Sequence, residues 1–335
     1  MKSDTKNNEA YLLYLQGRYY LTFNSTASTR KAGDYFERAI EIDSHYALAW
    51  AGLANYYGQM ASGGLMPGAE AWQKSEEAAV NAVALDGLRG ETHYSLAAVR
   101  MFSHRDWLEA ERELKRAIEL TPDFEQAHAL YAKLLTSMGR FDEAIAESRI
   151  ASKVDPHGPH RPNGESQADI YAIARRYDLA AEAFRKDIKR DAGNPNSHAG
   201  LGLVYVQQKK FTEALAEARI AQYLVTNPRQ STLVGALFAF SGDALEAKKI
   251  LEEAKNLASK RTNVGHLRNT EKNSPYNIAL IYTALGDEDQ AIAWLTKAVD
   301  EFSPQVRDLK VDPPFDTLRG NPRFTALLGR MNLLP

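Results

Sequence analysis

The feature that most restricts what this chain can fold into is a recurrence. A pattern of small and aromatic residues returns about every 34 residues along the 335-residue sequence. The cleanest copy runs from Phe124 to Pro156. Its first half sets Tyr131 beside Ala132 with Leu135 one turn later. Gly139-Arg140-Phe141 then interrupts, and Ala144, Ser148 and Ala151 follow before Asp155-Pro156. Apolar and small residues at steps of three and four define one face of a helix, and glycine and proline mark its ends. Each copy is therefore predicted to be two short helices joined by a tight turn.

Seven further copies read the same way. Gly17, Ala32, Phe36 and Ala39 form the first, stretched by an insertion around Asn24 to Ser28. Trp50, Leu53, Ala54 and Tyr57 open the second, which closes through Ala79 and Ala82 after a longer insertion, Met60 to Gly68. The third holds Leu96, Ala97, Ala110, Leu114, Ala117 and Pro122. The fifth, less regular, holds Ala168, Tyr171, Tyr177, Ala180 and Phe184. Leu201, Gly202, Tyr205, Phe211, Ala214, Ala218 and Ala221 make the sixth. Gly235, Phe238, Gly242, Ala247, Leu251 and Ala254 make the seventh, and Ala279, Tyr282, Gly286, Ala291, Leu295 and Ala298 the eighth.

A small residue midway along a helix lets its neighbour approach to the short end of the usual interaxial range of about 8–10 Å, and a large side chain fills the space beyond. A single hairpin cannot bury its apolar face, so about three or more must stack. The prediction is an all-α solenoid of about eight helical hairpins over residues 1–303. Phe315, Leu318, Phe324, Leu327, Leu328 and Met331 continue an apolar pattern past the last hairpin. Residues 304–335 are therefore expected to cap the open end of the stack, as solubility requires.

Composition narrows the functions open to such a chain. Its 41 basic and 43 acidic side chains nearly balance. A general grip on nucleic acid or anionic membrane needs a basic excess, so neither is expected as a partner. With no cysteine, disulfides, thiolate metal sites and cysteine nucleophiles are excluded. Met1 to Ala10 is polar, Tyr11 to Leu15 is too short for a signal-peptide core, and no apolar run approaches the roughly 18 residues of a membrane helix. A soluble, cytoplasmic protein is expected, and the start almost directly in a helical pattern fits an excised piece of a longer one at least as well as a complete one.

The half-motifs, as in Ala32-Gly-Asp-Tyr-Phe36-Glu-Arg-Ala39, resemble the tetratricopeptide repeat over about residues 9 to 300. The resemblance implies a right-handed superhelix whose first helices line a concave, partner-binding surface. Two segments carry a closer likeness. Asn8-Glu-Ala-Tyr-Leu-Leu-Tyr-Leu-Gln-Gly-Arg-Tyr-Tyr20 and Leu309-Lys-Val-Asp-Pro-Pro-Phe-Asp-Thr-Leu-Arg-Gly-Asn-Pro-Arg-Phe324 resemble the two ends of the repeat region of bacterial one-component regulators. In that group the repeats follow a winged-helix, nucleotide cyclase or serine/threonine kinase domain, none of which has a motif here. Some members place a membrane helix before the repeats, which would make a periplasmic location the alternative.

Counting from each small central residue, the resemblance puts Tyr14, Arg18, Asn55, Tyr94, Lys133, Asp169 and Tyr276 on the inner surface, a mixed aromatic and polar groove for a protein or peptide. The family's two-carboxylate clamp draws lysines and asparagines from three consecutive hairpins. Asn55 and Lys133 match in type but sit in the second and fourth copies, while the third offers Tyr94 and Ala98, so a chaperone-tail receptor is not expected.

Enzymatic signatures fail one by one, and no cofactor or metal is implied. His157 and His160 share a Pro/Gly-rich connector, Pro156 to Gly164, without the four ligands of a structural zinc site. Gly63-Gly64-Leu65-Met66-Pro67-Gly68 lacks the lysine and hydroxyl of a phosphate loop. Glu76, Glu77, Glu252 and Glu253 fall on exposed helical faces rather than in a desolvated acid–base pair. Ala258 to Asn273, with Lys260, Arg261, His266, Arg268 and Lys272, reads as a polar insertion without stacking aromatics. A binding module is the first reading, a small-molecule sensor the second, and a sizeable apolar pocket would favour the latter.

Overall fold

The structure, a computed structural model, describes residues 5–23, 25–155, 167–259 and 274–334. The connector with His157 and His160, and the basic stretch from Lys260 to Asn273, lie outside the described residues. Among the described residues there is no strand, and the helices pair into eight successive hairpins as the recurrence predicts. These are α1 (Asn8–Leu21) with α2 (Thr26–Ile42), α3 (Ala47–Ser62) with α4 (Gly68–Leu85), α5 (Gly90–Val99) with α6 (Trp107–Leu120), and α7 (Glu125–Ser137) with α8 (Phe141–Val154). There follow α9 (Gln167–Ile173) with α10 (Tyr177–Arg190), α11 (Pro195–Gln207) with α12 (Phe211–Leu224), α13 (Pro228–Phe240) with α14 (Ala244–Ser259), and α15 (Pro275–Ala284) with α16 (Glu288–Asp300). Two 3-10 turns, Pro304–Asp308 and Pro313–Leu318, and a last helix α17 (Pro322–Arg330) complete the chain.

The chain divides into two compact units, Met1–Leu135 with Asp142–Gly164, and Thr136–Phe141 with Glu165–Pro335. In the first, the packing is set by small residues meeting large ones. The Phe36 ring on α2 is fully buried between Gly17 of α1 and Gly52 of α3; a Cβ on either glycine would come within 2.6 or 2.4 Å of it. The Tyr56 ring of α3 covers Gly33 of α2 in the same manner, 2.5 Å from where a Cβ would be. Burying a ring of this size is worth about 2–3 kcal/mol, and it needs the missing Cβ atoms to do so. The second unit repeats the device, with Phe184 against Gly200, Leu237 against Gly202 and Ile250 against Gly235.

In the seven hairpins after the first, the turn is closed by one residue in the left-handed region. Gly64, Gly139, Gly242 and Gly286 serve there, at φ of 60°, 77°, 98° and 79°. Arg105, Arg175 and Lys209 take the same place at φ of 56°, 60° and 59°. In the turn after α9, the Arg175 N–H donates to Ala172 O at 3.0 Å and the Arg176 N–H to Tyr171 O at 2.8 Å, the paired bonds that terminate a helix on a left-handed residue. The α5 turn differs. Its last residues, Arg100–His104, form a π-helical turn, and the Asp106 N–H reaches back to Arg100 O at 2.9 Å. That turn directs both Arg100 and His104 onto the Glu76 carboxylate of α4, each at 3.0 Å.

Candidate partner-binding site

In the first unit, the register set by Gly17, Ala54, Ala97 and Ala132 fixes where each predicted groove residue stands. These four small residues are buried, and the next residue along each first helix, Arg18, Asn55, Ala98 or Lys133, is wholly or partly exposed. One register position thus presents a guanidinium, a carboxamide, a methyl and an ammonium on α1, α3, α5 and α7 in turn. Tyr94 on α5 is half-buried, its ring edge-on to Phe124 at 5.3 Å between centroids.

Tyr14, at the register of Tyr94, is buried instead. Its ring meets Tyr46 at 5.3 Å and Phe36 at 6.1 Å, and the Arg18 guanidinium lies 5.8 Å over it. Burial pushes the Tyr14 hydroxyl up to about 12, against the opposing pull of the Arg18 charge. Tyr14 therefore supports Arg18 from below rather than offering its own face.

Asp169 and Tyr276 belong to the second unit. Asp169 is half-buried on α9. Tyr276 is buried: its ring is edge-on to Phe315 at 5.3 Å, and its hydroxyl donates to the Asp312 carboxylate. The segment after α16 covers it. Leu309, Phe315 and Leu318 have no exposed surface, and Pro313–Leu318 packs on α15. Polar contacts hold the segment as well. Ser137 donates to Asp308 at 2.7 Å, Arg307 pairs with Asp308 at 3.1 Å, and Arg319 bonds the Asp312 carbonyl at 3.2 Å. Burial pushes the Asp312 carboxyl up to about 7; the Tyr276 hydrogen bond pulls down and the nearby Asp308 charge pushes up.

A second constellation escaped the sequence reading. His93, His128 and His198 are each the fourth residue of a first helix (α5, α7 and α11). The Nδ1 of each faces a glutamate on the second helix of its own hairpin, Glu113 at 2.5 Å, Glu147 at 2.6 Å and Glu217 at 2.6 Å. Each Nε2 faces the carbonyl six residues earlier, of Gly87, Pro122 or Ala192, at 3.0, 2.9 and 3.3 Å. Trp50, fourth in α3, makes the second bond alone, its indole N–H donating to Ser44 O at 3.0 Å. The ring thus ties the entering loop, the first helix and the second helix together. The hydrogen bond to Glu113 holds His93 above the usual imidazole range although burial opposes it. A comparison of the copies at this one position, where His recurs in place of Trp, would have revealed the set.

No group of three or more His, Cys, Asp or Glu able to hold a metal occurs among the described residues, and no helix there is long and apolar enough to cross a membrane. Gly63 to Gly68 forms the turn from α3 into α4. An open depression of about 580 Å³ in the second unit is lined by Arg175, Arg176, Asp178 and Lys210 among others, a charged wall rather than an apolar pocket.

Stacked two-helix hairpins with small residues at a fixed register define a helical-repeat protein. The chain contains tetratricopeptide repeats: residues 101–159, 166–227 and 276–301 each match a sequence model of that repeat. Among solved structures it is similar to yeast Tom70, at 16% identity and a TM-score of 0.53, covering 98% of this chain and 69% of that one. It is also similar to a tetratricopeptide repeat protein from Parabacteroides merdae, at 12% identity and a TM-score of 0.53, covering 83% of this chain and 100% of that one. At these identities the likeness concerns the fold. A search of curated protein sequences gave no match.

Proposed function

We propose that the chain binds a protein or peptide along the first helices of the first unit. The observation that carries this reading is the open row of Arg18, Asn55, Ala98 and Lys133, which rises over a buried floor of small residues with Tyr94 beside it. Cations at both ends, an amide between them and an aromatic nearby suit an extended acidic segment, whose main chain the amide can hydrogen-bond. Tetratricopeptide repeats support an interaction role as a class, and no catalytic role is proposed. Among the groove residues predicted from sequence, Arg18, Asn55, Tyr94 and Lys133 are the contacts, with Tyr14 as their support. Asp169 is a secondary contact. Tyr276 could meet a partner only if the segment that covers it came away.

The likeness of Asn8–Tyr20 and Leu309–Phe324 to the ends of regulator repeat regions supports a narrower reading, a regulatory part of a larger bacterial signalling protein. A cytoplasmic site of action follows from that reading, or a periplasmic one where a membrane helix precedes the repeats. The charged depression around Arg175 gives an apolar small-molecule ligand no support.

The test uses a displayed library of random peptides. Peptides selected on the wild-type chain are expected to be acidic. They should bind an Arg18→Glu, Asn55→Asp, Lys133→Glu variant at least about tenfold more weakly, or about 1.4 kcal/mol. Equal affinity for the variant would remove the proposal.

A further inference from the structure

The outward face of α1 carries an exposed apolar stripe. Within the first unit, the face of α3 that meets the preceding hairpin is marked by Gly52, two residues before the small central Ala54, and by Tyr56, two residues after it; they touch Phe36 and Gly33 of α2. The same positions on α5 and α7 are covered as well. Ser95 and Leu130 stand two before, Val99 and Leu134 two after, and Thr92 and Ala127 five before; none is more than 5% exposed.

On α1, which has no hairpin before it in this structure, these positions are Leu15, Tyr19 and Leu12, exposed at 37%, 60% and 59%. Phe23, just beyond the helix, extends the stripe at 43% and packs edge-on to Tyr19 at 4.9 Å. Exposed positions of a repeat stack are kept in solution by polar residues, and here they are large and apolar. The only charges on α1, Glu9 and Arg18, lie on either flank of the stripe and not within it.

We propose that this face binds a second copy of the chain, α1 against α1 about a two-fold axis. The face continues the hairpin-on-hairpin interface that the structure already contains, so another apolar helix face fits it. Its side chains grade from leucine at the helix start to tyrosine and phenylalanine at the end. Antiparallel pairing therefore sets Leu12 and Leu15 of one copy against Phe23 and Tyr19 of the other, large against small. With no charge in the stripe, two-fold symmetry brings no like charges together. On α17, by contrast, Phe324 and Leu327 are buried, as is Met331 just beyond it. A two-fold pairing of one face with itself closes on forming, giving a dimer rather than a filament.

Light scattering after size exclusion and sedimentation equilibrium of the whole chain give the test. The measured mass should approach twice the chain mass as concentration rises. Leu12→Glu and Tyr19→Glu should return it to one chain with unchanged helical signal, while Leu245→Glu, at a residue 82% exposed elsewhere, leaves the dimer intact. Because the chain has no cysteine, Leu15→Cys supplies a unique thiol. A short bis-maleimide should link two copies through it, which tests the geometry even if the glutamate variants unfold. A wild-type mass of one chain at every concentration, or a dimer that survives both glutamate substitutions and resists cross-linking at residue 15, overturns the proposal.

Discussion

Arg175 and Asp316 form a two-pronged ion pair, Nη1 to Oδ2 at 2.7 Å and Nη2 to Oδ1 at 2.8 Å, from a residue whose backbone lies in the left-handed region that favours glycine. Burial pushes the Asp316 carboxyl up, but the hydrogen bonds from Arg175 and Arg319 more than reverse this and hold it below the usual carboxylate range. The pair joins the α9 turn to the segment that covers α15. A side chain here has a reason to keep a backbone conformation that costs it energy.

Lys209, at φ 59° in the α11 turn, provides the comparison, since among the described residues no carboxylate clasps it. Lys209→Gly should stabilise the protein by about 0.5–1 kcal/mol, because relief of the left-handed penalty exceeds the added chain entropy. Arg175→Gly should give no such gain, since the same relief is offset by the loss of Asp316. Urea denaturation of the two variants checks the difference, and equal gains would show that the ion pair contributes nothing.

Asp312 should make stability fall as the solution becomes less acidic. Its folded value, pushed up to about 7 by burial, lies above the ordinary carboxylate value near 3.8, so the folded state holds a proton that the unfolded state releases. That contribution is complete below about pH 4 and is lost as pH rises through about 7. Thermal melts of wild type and Asp312→Asn should diverge in slope between pH 5 and pH 8, the variant being the flatter. Parallel profiles would place the ionisation elsewhere.

His93 links stability to pH with the same sign. Its folded value is raised by the Glu113 hydrogen bond. The stability it adds is present below the unfolded imidazole value of about 6.5 and is lost as pH rises past the folded value. The stability gap between wild type and His93→Gln should be wider at pH 6 than at pH 9, as measured by chemical denaturation. A gap independent of pH would mean that the ring acts through its shape alone.

Gly52→Ala tests the seat of Phe36. The new methyl would stand 2.4 Å from the ring, which is buried and closed in from the α1 side by Gly17. The loss should be about 1–3 kcal/mol, even though alanine is the better helix former. Trimming the ring with Phe36→Leu should make the alanine less harmful, a coupling that a double-mutant cycle would register.

Much of the fold could be read before the structure because it rests on local periodicity. Ala32, Phe36, Ala39, Ala79, Ala110, Ala144 and Ala214, singled out by spacing, have no exposed surface. What spacing could not supply was any feature fixed by residues far apart in the chain. Tyr14 and Tyr94 have the same register, yet Phe36 and Tyr46 bury the first while the second remains half open. Tyr276 reads as a groove residue until Asp312 and Phe315, more than thirty residues later, are seen to cover it. The turns at Arg105, Arg175 and Lys209 carry no glycine to announce their backbone conformation. The histidine–glutamate ties span 19 or 20 residues from one helix to the next, beyond the reach of a helical-face pattern.

Those ties have a bearing on how such a chain can change over time. A histidine that engages both of its nitrogens within its own hairpin and the loop entering it carries its fastening with it. A duplicated or exchanged unit built on His93, His128 or His198 arrives already laced, and only its outer apolar faces must be matched to new neighbours. Lengthening or shortening this protein by whole hairpins is correspondingly simpler than altering any one of them from within.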